Sequence, residues 1–180
     1  MMSLKGNTSA IAYLGMMTAA AAVLSYVEAL IPLTPALPGI KPGLSNIVIT
    51  AVLYSFGTGA AFGVSLARIL IVGFLFGNMS SILYSLTGTV SAIVIMEMLR
   101  RTGLFSVFGV SAAGGAAHNF GQLLAAFVLL PEMPLMDYLP YLLLAGLAAG
   151  MLTGALLLFL KPYLAWIETE LEKRISERTQ

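Results

Sequence analysis

Charged residues are nearly absent from the long middle part of this chain. Between Thr8 and Leu160 only eight side chains carry a formal charge, and the other nine lie at Lys5 and between Lys161 and Arg178. A water-soluble domain has about a quarter of its residues charged, whereas this chain of 180 residues has 9% charged and 59% hydrophobic residues. Its surface must face lipid, so the sequence predicts an integral membrane protein. The eight charged residues are Glu28, Lys41, Arg68, Glu97, Arg100, Arg101, Glu132 and Asp137.

Continuous apolar runs predict an all-α protein. Residues 141–160 show none of the alternation that a membrane β-barrel requires, and a spanning helix needs about 20 residues. We therefore predict one transmembrane domain, residues 1–160, with six helices. Residues 161–180 are predicted to form a cytoplasmic amphipathic helical tail, which either extends the last helix along the inner surface or docks a partner. The predicted spans are roughly 8–31, 43–57, 58–77, 79–99, 106–130 and 138–160.

The basic residues orient the domain. If the N-terminus is cytoplasmic, only Lys41 lies outside, so the distribution follows the rule that cytoplasmic loops are rich in lysine and arginine. Both termini are then cytoplasmic. Segment 32–42 holds four prolines, which exclude a helix, and we expect it to fold against the outer end of the bundle. The basic residues assigned to the inside are Lys5, Arg100, Arg101, Lys161, Lys173, Arg174 and Arg178.

Two opposite charges lie within the predicted spans. Arg68 is near the middle of the third span and Glu28 is one turn from the outer end of the first. Their depths differ by about six residues, or roughly 9 Å, which an arginine side chain can largely cover. Two interpretations are open. Either an ion pair between them fixes helix packing, or both line an outward-opening pocket, since intramembrane charges normally face a partner or a wet cavity.

The fifth span carries a polar cluster of His118, Asn119 and Gln122. These side chains need hydrogen-bond partners in the membrane, which are either neighbouring helices or a ligand. Asn46 and Asn78 are expected at the mouth of the same cavity. Outside this cluster, Glu97 precedes Arg100 and Arg101 by three and four positions, and this spacing predicts local ion pairs.

Small residues recur at every fourth position in several spans, which favours close helix packing in lipid. The rows in the third, fifth and sixth spans are predicted to hold the bundle together. The first span carries small side chains on nearly every face. We expect Gly15, Ala19 and Ala22 to contact a second membrane protein; packing inside the bundle is the alternative. The three rows are Gly59, Gly63 and Ala67; Ala113, Ala117, Gly121 and Ala125; and Gly146, Gly150 and Gly154.

Several chemistries lack the residues they need. There is no phosphate-binding loop of the Gly-x-x-x-x-Gly-Lys-Ser/Thr type, so we predict that the chain does not hydrolyse ATP itself. One histidine and no cysteine exclude the usual zinc and haem sites. A single aspartate, Asp137, excludes paired Asp-rich magnesium sites. We therefore predict no catalytic residue, no metal and no cofactor, and a protein that is not an enzyme.

Four segments of the chain carry a resemblance to a known family. They are Lys41–Val48, Leu66–Leu70, Phe105–Ser111 and, as the most specific match, Ala117-His118-Asn119-Phe120-Gly121-Gln122. Through these segments the chain resembles the bacterial membrane proteins of the heptaprenyl diphosphate synthase component I family, also called the Gx transporter family, over about residues 10–155.

This family in turn is similar to the substrate-binding S components of energy-coupling factor (ECF) importers. The resemblance implies a six-helix bundle in the bacterial plasma membrane whose first helix docks on a T component, with separate ATPase subunits and no nucleic-acid partner. No signature for riboflavin, thiamine or biotin is present, so the ligand stays open. The residues expected to bind a small molecule are Glu28, Lys41, Asn46, Arg68, His118, Asn119 and Gln122.

Two other interpretations stand beside this one. In the first, the chain is an accessory membrane subunit of a polyprenyl diphosphate synthase or of a quinone-linked redox complex, and its cytoplasmic face carries the function. In the second, the chain is a helical membrane protein whose polar groups only connect helices.

Overall fold

Six helices follow one another where the six apolar spans are predicted. The computed structural model describes residues 8–30, 43–132 and 134–178, and within these it contains helices and short connections. The segment 32–42, including Lys41, lies outside the described residues. The helices are α1 (Thr8–Leu30), α2 (Leu44–Phe56), α3 (Thr58–Phe76), α4 (Met79–Thr102), α5 (Val107–Leu129) and α6 (Leu135–Arg178).

The outside of the bundle is apolar. Within the described part of the chain, four stretches are long and apolar enough to cross a membrane: Ala10–Glu28, Thr58–Phe76, Met79–Thr102 and Leu135–Tyr163. Large apolar side chains remain on the surface, such as Phe74 at 72% and Val128 at 80% exposure. Contiguous apolar surface of this kind marks contact with a membrane or a partner. The length and composition of these helices indicate a membrane protein.

Two helices do not reach the length and hydropathy of these four. Helix α2 has 13 residues, and α5 carries the polar residues His118, Asn119 and Gln122. Six complete spans with both termini in the cytoplasm therefore stay a prediction. Helix α6 runs without a break to Arg178, so the predicted tail is helical to that residue. Its cytoplasmic position is likewise a prediction.

Glycines and short polar residues set the connections between helices. Gly57 joins α2 directly to α3 with φ 88°, and Gly103 ends α4 with φ 69°. Both values lie where a Cβ atom is unfavourable, so glycine suits these positions. At the start of α5 the Ser106 hydroxyl accepts a hydrogen bond from the Gly109 N–H at 3.3 Å, a helix N-cap.

Asn78 caps a helix, and the prediction that it lies at a cavity mouth is wrong. Its side-chain oxygen accepts a hydrogen bond from the Ser81 N–H at 2.8 Å, and its own N–H donates to the Ser81 hydroxyl at 3.0 Å. This reciprocal arrangement satisfies two backbone donors at the start of α4. Asn78 is exposed and does not contact the cavity described below.

The helices form two groups of three. Helix α5 packs extensively on α4 and α6, while α1 packs on α2 and α3; contacts of α3 with α4 and of α2 with α6 join the groups. Backbones approach closely between α5 and α6. A Cβ atom added to Gly115 would overlap the Gly146 carbonyl oxygen and lie 2.8 Å from the Gly150 nitrogen. Small residues in the sixth span therefore hold the bundle together, as predicted.

The row in the third span does not have this role throughout. Gly59 and Gly63 are exposed, and a Cβ atom on either would meet nothing within 4 Å. The prediction that these two glycines pack inside the bundle is wrong. Their four-residue spacing identifies one face of α3, but this face points outward.

Alanine at Gly150 is expected to destabilise the bundle. Its Cβ would overlap the Ser111 carbonyl oxygen and lie 2.8 Å from the Ala112 Cα, and backbone atoms cannot rotate away. Overpacking of this kind costs about 1–3 kcal/mol. The matched control is Gly63→Ala, which meets no atom and removes a helical glycine, a gain of up to about 1 kcal/mol. Unfolding of both variants in detergent measures the difference, and equal stability would contradict this account of α5–α6 packing.

The predicted ion pairs of Glu97 are confirmed. One carboxylate oxygen accepts from Arg100 Nε at 2.8 Å, and the other accepts from Arg101 Nε at 2.6 Å. Arg100 also lies 5.9 Å from the centre of the Tyr54 ring, within reach of a cation–π contact. The ion pairs lie within α4, and the contact with Tyr54 joins the end of α4 to the end of α2.

Candidate functional site

A buried arginine connects four helices. Arg68 on α3 is 6% exposed. Its Nη1 donates to the Ser25 hydroxyl on α1 at 2.6 Å and to the Ser45 hydroxyl on α2 at 2.8 Å. Its Nη2 donates to the Thr89 hydroxyl on α4 at 3.4 Å. The guanidinium group is therefore held in one position by hydroxyl oxygens from three neighbouring helices.

Glu28 reaches the same network through Ser45. The Ser45 hydroxyl donates to one Glu28 carboxylate oxygen at 3.1 Å, and the Ser45 backbone N–H approaches the other at 3.4 Å. The same hydroxyl accepts from Arg68. A serine hydroxyl thus stands between the two opposite charges, in place of the direct ion pair that one interpretation of the sequence predicts.

The Arg68 guanidinium keeps an open donor. Its Nε is buried and has no hydrogen-bond partner among the described residues, although an unsatisfied buried donor normally costs about 1–3 kcal/mol. Within the same part of the chain, the hydrogen bonds that Arg68 donates are all accepted by uncharged hydroxyl groups. An arginine held in this way can accept an additional anionic or carbonyl partner.

The polar residues of α5 lie opposite the network formed by Arg68 and Glu28. Asn119 and Gln122 are buried and His118 is half-buried. The Asn119 side-chain nitrogen donates to the Leu142 carbonyl on α6 at 2.8 Å, so this residue does connect helices. Gly88 on α4 leaves space for the side chains of His118 and Gln122, because a Cβ at this position would lie 2.9 Å from Gln122 Cγ and 3.0 Å from His118 Cε1.

The network of Arg68 and Glu28 on one side and the polar residues of α5 on the other enclose one cavity, and all six helices contribute to its lining. Its volume is about 20 Å³, and about 10–15 Å³ is enough to hold a water molecule. With the helices in this position the cavity admits only water. The lining residues are Glu28, Gly43, Ser45, Asn46, Arg68, Ser85, Gly115, His118, Asn119, Gln122, Gly146, Ala149 and Gly150.

Six of the seven residues expected to bind a ligand line this cavity. They are Glu28, Asn46, Arg68, His118, Asn119 and Gln122. The seventh, Lys41, lies outside the described residues. Whether the six bind a ligand stays a prediction.

Sequence reasoning did not single out the hydroxyl groups of the site. Ser25, Ser45 and Thr89 hold Arg68, and Ser85 adds a further hydroxyl to the lining. Only Ser45 had a signal in the sequence, because it precedes Asn46 within the segment Lys41–Val48 that carries the family resemblance.

The small face of α1 lies apart from this cavity. Gly15 and Ala19 are exposed and Ala22 is half-buried, and a Cβ on Gly15 would meet nothing within 4 Å. Ala21 on the same helix is completely buried. Docking of another protein on Gly15, Ala19 and Ala22 stays a prediction.

Comparison with known proteins assigns the chain to a protein family. No curated protein and no solved structure matches the chain. The family profile described as heptaprenyl diphosphate synthase component I matches residues 17–160, which include α2 to α5, most of α1 and all the cavity-lining residues. The chain therefore belongs to the heptaprenyl diphosphate synthase component I family, as its Ala117–Gln122 segment indicated.

Proposed function

We propose that this protein is the substrate-binding subunit, similar to an S component, of an ECF-type importer in a bacterial plasma membrane. The observation that carries the proposal is the cavity, where six polar residues picked out from the sequence meet although they come from four different helices. Polar side chains are expensive inside a membrane, so their convergence on one point favours a binding role.

The chemistry of the cavity suits recognition of a small polar molecule. Arg68 offers a cation with an open Nε, and Glu28 offers an anion. Gln122 and Asn46 add amide donors and acceptors. A few convergent polar groups that fix the orientation of a ligand are typical of small-molecule sites.

Ligand binding requires the walls to separate. Small-molecule pockets usually measure about 300–1,000 Å³, whereas this cavity measures about 20 Å³. The contacts between α1–α3 and α4–α6 are smaller than those of α5 with its neighbours. Movement of one group of helices against the other would widen the cavity without breaking the close α5–α6 packing. A ligand then enters from the outer face, and the small volume of the cavity corresponds to a closed position of the helices.

The energy for release comes from other subunits. We propose that a T component docks on the face formed by Gly15, Ala19 and Ala22, and that ATPase subunits bind that T component. The exposure of Gly15 and Ala19 supports this arrangement, since small residues allow close helix contact in lipid.

Mass spectrometry of small molecules that co-purify with the protein tests the capture role. We expect one compound in the wild type that is reduced in His118→Ala, whose side chain lines the cavity. In Arg101→Ala, altered at an exposed residue outside the cavity, the compound is retained. If the wild type and His118→Ala carry the same small molecules in the same amounts, the site assignment is wrong.

The family description favours a second candidate, an accessory membrane subunit of a polyprenyl diphosphate synthase or a quinone-linked redox complex. In that case Arg100, Arg101 and the end of α6 carry the function. Deleting residues 164–180 should then abolish partner-enzyme activity, and a synthase should co-purify with the full chain. Survival of uptake after this truncation, with no synthase bound, would exclude the second candidate.

A further inference from the structure

A second and larger cavity lies at the other end of the bundle. It measures about 260 Å³ and is lined by parts of α2, α5 and α6. Along α6 its lining residue Lys161 is eleven positions beyond Gly150 of the first cavity, or about 16 Å at 1.5 Å per residue. The two cavities share no lining residue, so this one is a separate feature.

The lining of this cavity is amphiphilic. Val107, Leu157 and Leu158 give it apolar walls, while Tyr54 and Ser55 contribute hydroxyl groups. Leu158 is 46% exposed and belongs to the apolar outer surface of α6, so the cavity borders the lipid. An apolar cavity of about 150 Å³ already holds benzene, so this space is large enough for a segment of an alkyl chain.

A lysine stands where the apolar part of α6 ends. The apolar stretch of this helix ends at Tyr163, and Tyr163 is 60% exposed, as is common for tyrosines at the membrane–water boundary. Lys161 is therefore at the depth of lipid headgroups. Among the side chains that the structure describes it has no ion-pair partner, in contrast to Arg100 and Arg101, which share Glu97.

We propose that this cavity binds an anionic phospholipid from the leaflet that meets this end of the bundle. An acyl chain lies against Val107, Leu157 and Leu158, and Lys161 pairs with the phosphate. Basic pockets between membrane helices bind anionic headgroups in this way. The charge of Lys161, its depth and the opening toward lipid together favour a phospholipid over a water-soluble ligand.

Native mass spectrometry of the purified full chain measures this binding. The probes are phosphatidylglycerol and phosphatidylcholine with identical acyl chains, and farnesyl diphosphate as an anionic amphiphile that is not a phospholipid. We expect phosphatidylglycerol to bind more tightly than either of the others. Lys161→Gln should weaken its binding about fivefold, as expected for one basic residue at an anionic lipid surface.

Two pairs of variants make the test specific. Leu158→Phe should fill the cavity and lower phosphatidylglycerol binding, whereas Leu160→Phe, on the same helix but outside the lining, should not. Lys173→Gln is the matched control for Lys161→Gln, because it removes an exposed charge elsewhere on α6. All four residues are exposed, so the variants should fold, which thermal unfolding verifies.

Three results would overturn the proposal. Equal binding of phosphatidylglycerol and phosphatidylcholine would remove the role of charge. Unchanged binding in both Lys161→Gln and Leu158→Phe would place the lipid elsewhere. Tighter binding of farnesyl diphosphate than of phosphatidylglycerol would assign the cavity to a prenyl diphosphate.

Discussion

Replacing Arg68 with methionine is expected to abolish ligand capture. The guanidinium is the only permanently charged cation among the described residues that line the cavity. Loss of one partner from a buried, hydrogen-bonded charge pair costs about 2–5 kcal/mol of binding energy, which corresponds to about 30-fold or more in affinity. We expect the co-purifying compound to fall below detection in Arg68→Met, while the surface variant Arg101→Met retains it.

The single variant alone cannot separate binding from stability. Without Arg68, the buried Glu28 carboxylate keeps, among the described residues, only its hydrogen bonds with Ser45. An uncompensated buried charge destabilises a protein by about 3–5 kcal/mol. The double variant Glu28→Gln/Arg68→Met removes both charges and should recover much of this stability.

The double variant therefore distinguishes two roles for the network. If the charges only connect helices, the double variant regains both stability and its bound compound. If Arg68 or Glu28 binds the ligand, stability returns in thermal unfolding but the compound does not, and the single variants then show which of the two binds. Recovery of both stability and compound would contradict the assignment of Arg68 and Glu28 to the site and would leave the polar residues of α5 as the remaining candidates.

The residues of the site were largely predictable because charge and amide groups are rare in membrane helices. Arg68, Glu28 and Gln122 each stand out in an apolar span, and each needs a partner there. The sequence indicated that they converge, but it left open whether Glu28 and Arg68 meet directly. Ser45 decides this point, since its hydroxyl hydrogen-bonds to both.

The hydroxyl groups themselves were not predictable. Serine and threonine can hydrogen-bond to the carbonyl four residues earlier in their own helix, as Thr18 does with Leu14 at 2.8 Å. A hydroxyl in an apolar span therefore needs no distant partner, and nothing in the sequence distinguishes Ser25 from Thr18. Only the packing of α1 against α3 assigns Ser25 to Arg68.

Spacing alone also misplaced residues at the ends and faces of helices. Asn78 fits both a cavity mouth and a helix cap, and Ser81 three positions later was the signal for the cap. Gly59 and Gly63 share one face of α3, but their four-residue spacing does not indicate whether that face packs on a neighbouring helix or lies on the surface of the bundle. The same ambiguity applies to α1, where exposure now separates Ala19 from Ala21.

Tryptophan at Ala19 is expected to block assembly of the proposed importer while leaving this protein folded. Ala19 is exposed on α1, so a larger side chain there meets lipid in the isolated protein. A T component that packs closely on Gly15 and Ala19 would be held away by the indole ring, because such contacts require small side chains. We expect co-purification with a tagged T component, and uptake, to be lost.

Two controls, each also an alanine replaced by tryptophan, separate loss of docking from loss of folding. Ala21→Trp places the ring at a completely buried position of α1 and should unfold the isolated subunit. Ala148→Trp places it at an exposed position of α6 and should leave both folding and assembly intact. If Ala19→Trp behaves like Ala21→Trp, the small face of α1 is internal packing. If it behaves like Ala148→Trp, a T component contacts another surface. Loss of assembly with retained folding and retained ligand is expected only if Gly15 and Ala19 form the docking face.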